Sequence, residues 1–142
     1  MRRERTHDPD MYEIVIGIDD NENRARIQAE EVLDMPFADE TVHVTLQHTF
    51  QDAGEDHDIE DVAAVQQARE TLTGGGLDVS LASSTGNPAD GILDTADERD
   101  ADLIVVAGRK RTPTGKVLFG SVTQRVVLDT DRPVLVCSGR DT

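Results

Sequence analysis

Five short runs rich in Val, Ile and Leu recur along this chain, and the segments between them carry helical spacing. That alternation constrains the fold more than any other feature. "YEIVIGI" (12–18), "TVHVTLQHTF" (41–50), "LDVSLAS" (77–83), "ADLIVVAG" (101–108) and "RPVLVCS" (132–138) read as strands. "ENRARIQAEEVLDM" (22–35) places Ala25, Ala29, Val32 and Leu33 on one helical face. "DIEDVAAVQQARETL" (58–72) reads as a helix that "GGG" (74–76) ends. "NPADGILDTADERD" (87–100) opens with Asn87 as cap and Pro88 in the first turn. "GSVTQRVVLDT" (120–130) is a short fourth helix. Strand and helix in alternation imply an α/β single domain: a five-stranded parallel sheet with helices on both faces, Rossmann-like in plan. The third run alternates in polarity, which puts it near a sheet edge.

The length of 142 residues suits one domain with a core of its own. Residues 1–10, "MRRERTHDPD", are charged throughout and read as a flexible N-terminal tail. They lack the apolar centre of a signal peptide, and no run nears the roughly 18 apolar residues of a membrane span. A cytoplasmic protein is expected, with residues 11–142 as its domain and no membrane partner. "QDAGEDHD" (51–58) reads as a flexible acidic loop. The single cysteine, Cys137, fits a reducing compartment and reads as a small buried apolar residue.

Charge narrows the function. Twenty-nine acids oppose fourteen bases, for a net charge of −15, and Lys110 and Lys116 are the sole lysines. Acid-rich, lysine-poor surfaces suit concentrated salt, where screening removes self-repulsion, so a halophilic source is expected. Nucleic acid is a poor partner for such a surface. Yet no Asp or Glu occurs from Leu103 to Leu128, whereas the mean density of acids predicts about five. Arg109, Lys110, Arg111, Lys116 and Arg125 fall in the same window, which suggests an anion site.

The stretch "GRKRTPTGKVLFGS" (108–121) looks built for phosphate, but it is not a P-loop. Counting back from Gly115 puts Lys110 at the first glycine, and Val117 stands where the hydroxyl belongs. Gly120-Ser121 opens a helix, whose free N–H groups and dipole favour an anion. The simpler reading of Ser121 is a plain N-cap. Asp19-Asp20 closes the first strand, where either acid can cap the following helix or Asp19 can hydrogen-bond a nucleoside.

Other constellations fail. A phosphoacceptor receiver domain shares the strand–helix order, but the third strand ends "LASSTG" and the last "CSGR", without its Asp and Lys. His43 and His48 have opposite parity on one strand, so the histidines form no metal set. Neither G-x-S-x-G nor G-x-G-x-x-G is present. No group of residues calls for catalysis, and Asp19 is the sole acid placed to assist even slow ATP hydrolysis. The protein is expected not to be an enzyme.

With these residues in view, the chain from about Tyr12 to Ser138 resembles the universal stress protein family. The matching signals are "IVIGIDD", "LQHTF", "TGNPADGIL", "ADLIVVAGRKR" and "GSVTQRVVLDTDRPVLVC". The resemblance implies a stress-response protein that binds ATP, with magnesium left open, and a homodimer through the C-terminal strand. Nucleotide-binding members carry G-x-x-G, nine residues, then G-[S/T]. Here Gly108 matches the first glycine, Arg111 stands at the second, and eight residues precede Gly120-Ser121. The resemblance places Asp19 at the ribose or adenine and Thr49 against adenine. It places Gly108, Gly120, Ser121 and Val122 around the phosphates, with Gly115 taking over the turn and Arg111 supplying charge, and the basic character of the loop adds Arg109 and Lys116 to the nucleotide site. The alternative is a non-nucleotide-binding member of the same fold that acts as a protein-interaction dimer, which the altered loop favours.

Overall fold

The computed structural model describes residues 11–37, 41–51, 58–108 and 119–137. The first element, β1 (Met11–Ile18), leads into α1 (Glu22–Leu33). Then come β2 (Thr41–Phe50), a 3-10 turn (Ile59–Asp61), α2 (Ala63–Gly74) and β3 (Asp78–Thr85). The second half holds α3 (Pro88–Arg99), β4 (Leu103–Ala107), α4 (Ser121–Asp129) and β5 (Val134–Cys137). The five strands form one parallel sheet in the order β3-β2-β1-β4-β5.

The central strand explains the apolar run that announced it. Ile14, Ile16 and Ile18 point to one face, where they join Ala25, Ala29 and Val32 of α1 and Val65, Ala68 and Leu72 of α2. Val15 points to the other, with Ala89, Ile92 and Ala96 of α3 and Val126 of α4. Both faces of β1 are therefore dry, and a strand of this kind cannot alternate in polarity. The alternating third run is an edge strand in the structure, and β5 closes the opposite edge.

The helix expected over 58–72 is divided. Asp58 accepts the Glu60 N–H at 2.9 Å and shapes a 3-10 turn. Val62 is then extended, with φ −77° and ψ 117°, and the α-helix starts only at Ala63. A side chain that bonds its neighbouring backbone competes with the helical ladder, as Asp58 does here. At the other end the helix runs to Gly74, and Gly76 adopts φ +90°. That left-handed step lets the Leu77 N–H reach back to the Leu72 carbonyl at 3.1 Å, which closes the helix.

Chain direction reverses at the centre of the sheet. From β1 the chain steps outward to β2 and β3, then crosses back to β4 and β5 on the far side of β1. The loop after β1 leads to one face and the loop after β4 leads to the other. In open parallel sheets the crevice at such a switch point is the usual place for a ligand.

Candidate functional site

A cleft of about 480 Å³ opens at the carboxyl ends of the strands, at this switch point. Gly17 to Asp20 form one wall, and Gln47 to Gln51 extend it along β2. Val106, Ala107 and Gly108 form the floor at the end of β4, and Gly120 to Thr123 the far wall at the start of α4. The volume lies within the range of small-molecule sites. Six of the sequence-predicted residues meet here: Asp19, Thr49, Gly108, Gly120, Ser121 and Val122. Arg109, Arg111, Gly115 and Lys116 lie outside the described residues.

The start of α4 corrects one expectation. Gly120, not Ser121, occupies the N-cap position, with φ −73° and ψ 168°, and among the described residues no side chain caps the helix. Ser121 is the first helical residue. The first backbone bond of the helix runs from the Gln124 N–H to the Gly120 carbonyl at 3.0 Å. The N–H groups of Ser121, Val122 and Thr123 therefore precede the intrahelical ladder. They carry the positive end of the helix dipole along a wall of the cleft. Thr123 anchors this wall, since its hydroxyl donates to the Ala107 carbonyl at 2.8 Å.

A second correction concerns α1. The cap is Asn21, whose Oδ1 accepts the Arg24 N–H at 2.9 Å, and not Asp19 or Asp20. Asp19 instead accepts the Asn21 N–H on Oδ1 at 2.9 Å. Its Oδ2 takes Arg24 Nε at 2.9 Å and a second guanidinium nitrogen at 2.9 Å. Arg24 lines the cleft, and no spacing in the sequence marks it. It was visible only as a base in the first turn of a helix that follows an acid.

His48 is another cleft residue that sequence reasoning left unassigned. Its Nδ1 lies 2.7 Å from the Ile18 carbonyl, which can only accept, so Nδ1 carries a proton. Nε2 then looks toward Asp20 Oδ1 at 3.6 Å, while the Phe50 ring packs edge-on at 4.9 Å. Thr49 contributes to the wall, but its hydroxyl is engaged. Gln47 Nε2 donates to Thr49 Oγ1 at 3.0 Å and to Ser84 Oγ at 2.9 Å, and the two hydroxyls bond each other at 2.9 Å.

Arg125 does not join the site. Its guanidinium pairs with Asp90 of α3 and, at 3.2 Å, with Asp129. Those hydrogen bonds, Asp90 first, raise its pKa above the usual arginine value. A stretch without acids in sequence is thus not one without acids in space. Among the described residues, no group of three or more His, Cys, Asp or Glu side chains is placed to hold a metal ion. Among the same residues, no helix is long and apolar enough to cross a membrane.

Comparison with known proteins agrees with this geometry. A universal stress protein from Mycolicibacterium smegmatis is 37% identical over 87 residues, which cover 61% of this chain and 60% of that protein. The chain thus spans less than two thirds of that relative's length. The universal stress protein from Archaeoglobus fulgidus superposes with a TM-score of 0.66 at 32% identity, over 89% of this chain and 97% of that one. A structure from the same organism, a universal stress protein in complex with dAMP, superposes with a TM-score of 0.62 at 24% identity, over 89% and 96%. The family model for the universal stress protein family matches residues 11–138. From the parallel sheet with its cleft at the switch point to this match over nearly its whole length, the chain belongs to the universal stress protein family.

Proposed function

We propose that the cleft binds an adenine nucleotide, ATP or a related mononucleotide, and that the protein acts as a regulatory ligand-binding dimer without turnover. One observation carries this reading: the start of α4, residues Gly120 to Thr123, whose N-cap is a glycine without a capping side chain, shares a single cleft with Asp19. The first offers backbone N–H donors to phosphate, and the second offers a carboxylate to a nucleoside. The dAMP complex of the Archaeoglobus relative supports the ligand class. Calorimetry with ATP and AMP in concentrated KCl tests it. Saturable heat with either nucleotide, weakened in a Ser121→Asp variant, is the expected result. No heat with either would overturn it.

The second reading is the same fold without nucleotide, working through protein contacts. Arg111 at the expected glycine and the shortened spacing before Gly120 favour it. Both readings include a homodimer through β5. That strand is an edge, and Val127 and Leu128 of the neighbouring α4 are exposed, Leu128 at 80%. Edges and apolar patches of this kind are covered when a second copy pairs with them. A monomer in sedimentation at micromolar concentration would reject the dimer. The net charge of −15 supports a cytoplasm rich in salt.

A further inference from the structure

Asp19, Asn21 and Arg24 form a closed ring of hydrogen bonds at the mouth of the cleft. The Asn21 N–H donates to Asp19 Oδ1, Asn21 Oδ1 accepts from the Arg24 N–H, and the Arg24 side chain returns to Asp19 Oδ2. A carboxylate after a strand would otherwise rotate freely, because its terminal torsion is broad. Here rotation breaks bonds at both oxygens.

The remaining capacity of the carboxylate can be counted. An ionised carboxylate has about four acceptor positions, two on each oxygen. Oδ2 accepts a hydrogen bond from Arg24 Nε at 2.9 Å, and a second guanidinium nitrogen covers it as an ion-pair contact at 2.9 Å. Oδ1 has one partner, the Asn21 N–H. Among the described residues one acceptor position on Oδ1 is left, on a residue that lines the cleft. Arg24 also balances the charge of Asp19, so the wall opposite a bound phosphate is not a bare anion. Both side chains are about half-exposed, 43% for Arg24 and 50% for Asp19, and so remain accessible to a ligand.

On the reading that the cleft holds a nucleotide, we infer that Arg24 is a positioning residue that makes Asp19 selective for a sugar hydroxyl. By occupying Oδ2 it leaves Oδ1 as a single, fixed acceptor for one ribose O–H. The planar guanidinium is what the device requires, since an ammonium on a flexible stem is a point charge that does not fix the orientation of the carboxylate.

The test compares AMP, 2′-deoxy-AMP and 3′-deoxy-AMP by calorimetry in concentrated KCl, on the full chain and on Arg24→Ala, Arg24→Lys and Asp19→Asn. The wild type is expected to lose about tenfold in affinity when one of the two hydroxyls is removed, the scale of a hydrogen bond to a charged group. Arg24→Ala should weaken AMP by about that factor while leaving the affected deoxy analogue within twofold, so discrimination vanishes. Arg24→Lys should recover only part of it. Asp19→Asn, which leaves Arg24 in place, should lose discrimination too and serves if Arg24→Ala does not fold. A wild type that binds all three alike overturns the inference and leaves nucleotide binding standing. So does an Arg24→Ala chain that weakens all three equally, which would mark a general charge effect. A wild type that binds none of them overturns this inference and the nucleotide reading together.

Discussion

Glu13 and His43 are register partners on β1 and β2, and their side chains meet beneath α3 with Oε1 2.8 Å from Nδ1. The other ring nitrogen, Nε2, lies 2.7 Å from Ser80 Oγ on β3, so a hydrogen-bonded chain runs across three strands. Both residues of the pair are buried, at 8% and 9% exposure. The pair lies toward the amino ends of the strands, away from the cleft. The contact gives each of these buried polar side chains a hydrogen-bond partner.

Removing one partner leaves the other without compensation. His43→Ala should lower stability by about 1–3 kcal/mol, the cost of leaving a buried polar group without its hydrogen bond. Replacing both residues with valine should recover much of that loss, because removing both partners of a buried hydrogen bond leaves neither one unsatisfied. Urea unfolding at fixed KCl measures both. Equal destabilisation by the single and double changes would contradict this account.

Gly91 lets α3 approach the sheet over the polar triangle of β2 and β3. A Cβ at this position would sit 2.5 Å from Gln47 Nε2 and from Thr49 Oγ1, and closer still to Ser84 Oγ. Either these three side chains give up their mutual hydrogen bonds or the helix shifts away from them. Gly91→Ala should therefore cost about 1–3 kcal/mol despite the better helix propensity of alanine, as overpacking does. A thermal melt in which Gly91→Ala matches or exceeds the wild type would refute it.

Cys137 ends β5 at 4% exposure, and burial pushes its thiol up to about 12, with Glu31 adding to the shift. The folded state therefore holds the neutral thiol above the ordinary value of 9.0. That contribution is complete below the pKa of the unfolded chain and is lost as the pH rises from about 9 to about 12. Native protein near neutral pH should resist thiol reagents, and denatured protein should react at once. Cys137→Ser should lose less stability at pH 11 than at pH 7, relative to wild type.

Asn87 closes the start of α3. Its Oδ1 accepts from the Ala89 N–H at 2.8 Å and the Asp90 N–H at 3.4 Å, with Pro88 as first helical residue. Asn87→Ala should cost about 1 kcal/mol, and Asn87→Ser much less, because serine can take over the cap. Chemical denaturation of the three chains side by side decides it; an alanine variant equal to wild type would show the cap to be idle.

Local signals served well where a short stretch contains its own reason. The apolar run "IVIGI" can only be a strand dry on both faces, and the Asn87-Pro88 cap and the glycines at 74–76 end elements through torsions of their own. The alternation of "LDVSLAS" marked an edge strand because one of its faces stays wet. Asp58 shows where local reading falls short: its side chain bent the expected helix into a 3-10 turn, a competition that helical spacing does not report.

The alternation of strand and helix, the parallel sheet that follows from it and the polar, glycine-bearing start of α4 are legible in the order of residues alone, because each rests on periodicity or on a neighbour a few residues away. Which side chains share a space is settled by the folded chain. Glu13 meets His43 and His43 meets Ser80 through strand register. Arg125 leaves the cleft for Asp90 because α3 passes beside α4, and Arg24 enters it because α1 starts where β1 stops. The cleft lies at the point where strand order reverses, and that order comes from how the helices bury the two faces, which no single stretch of the chain encodes.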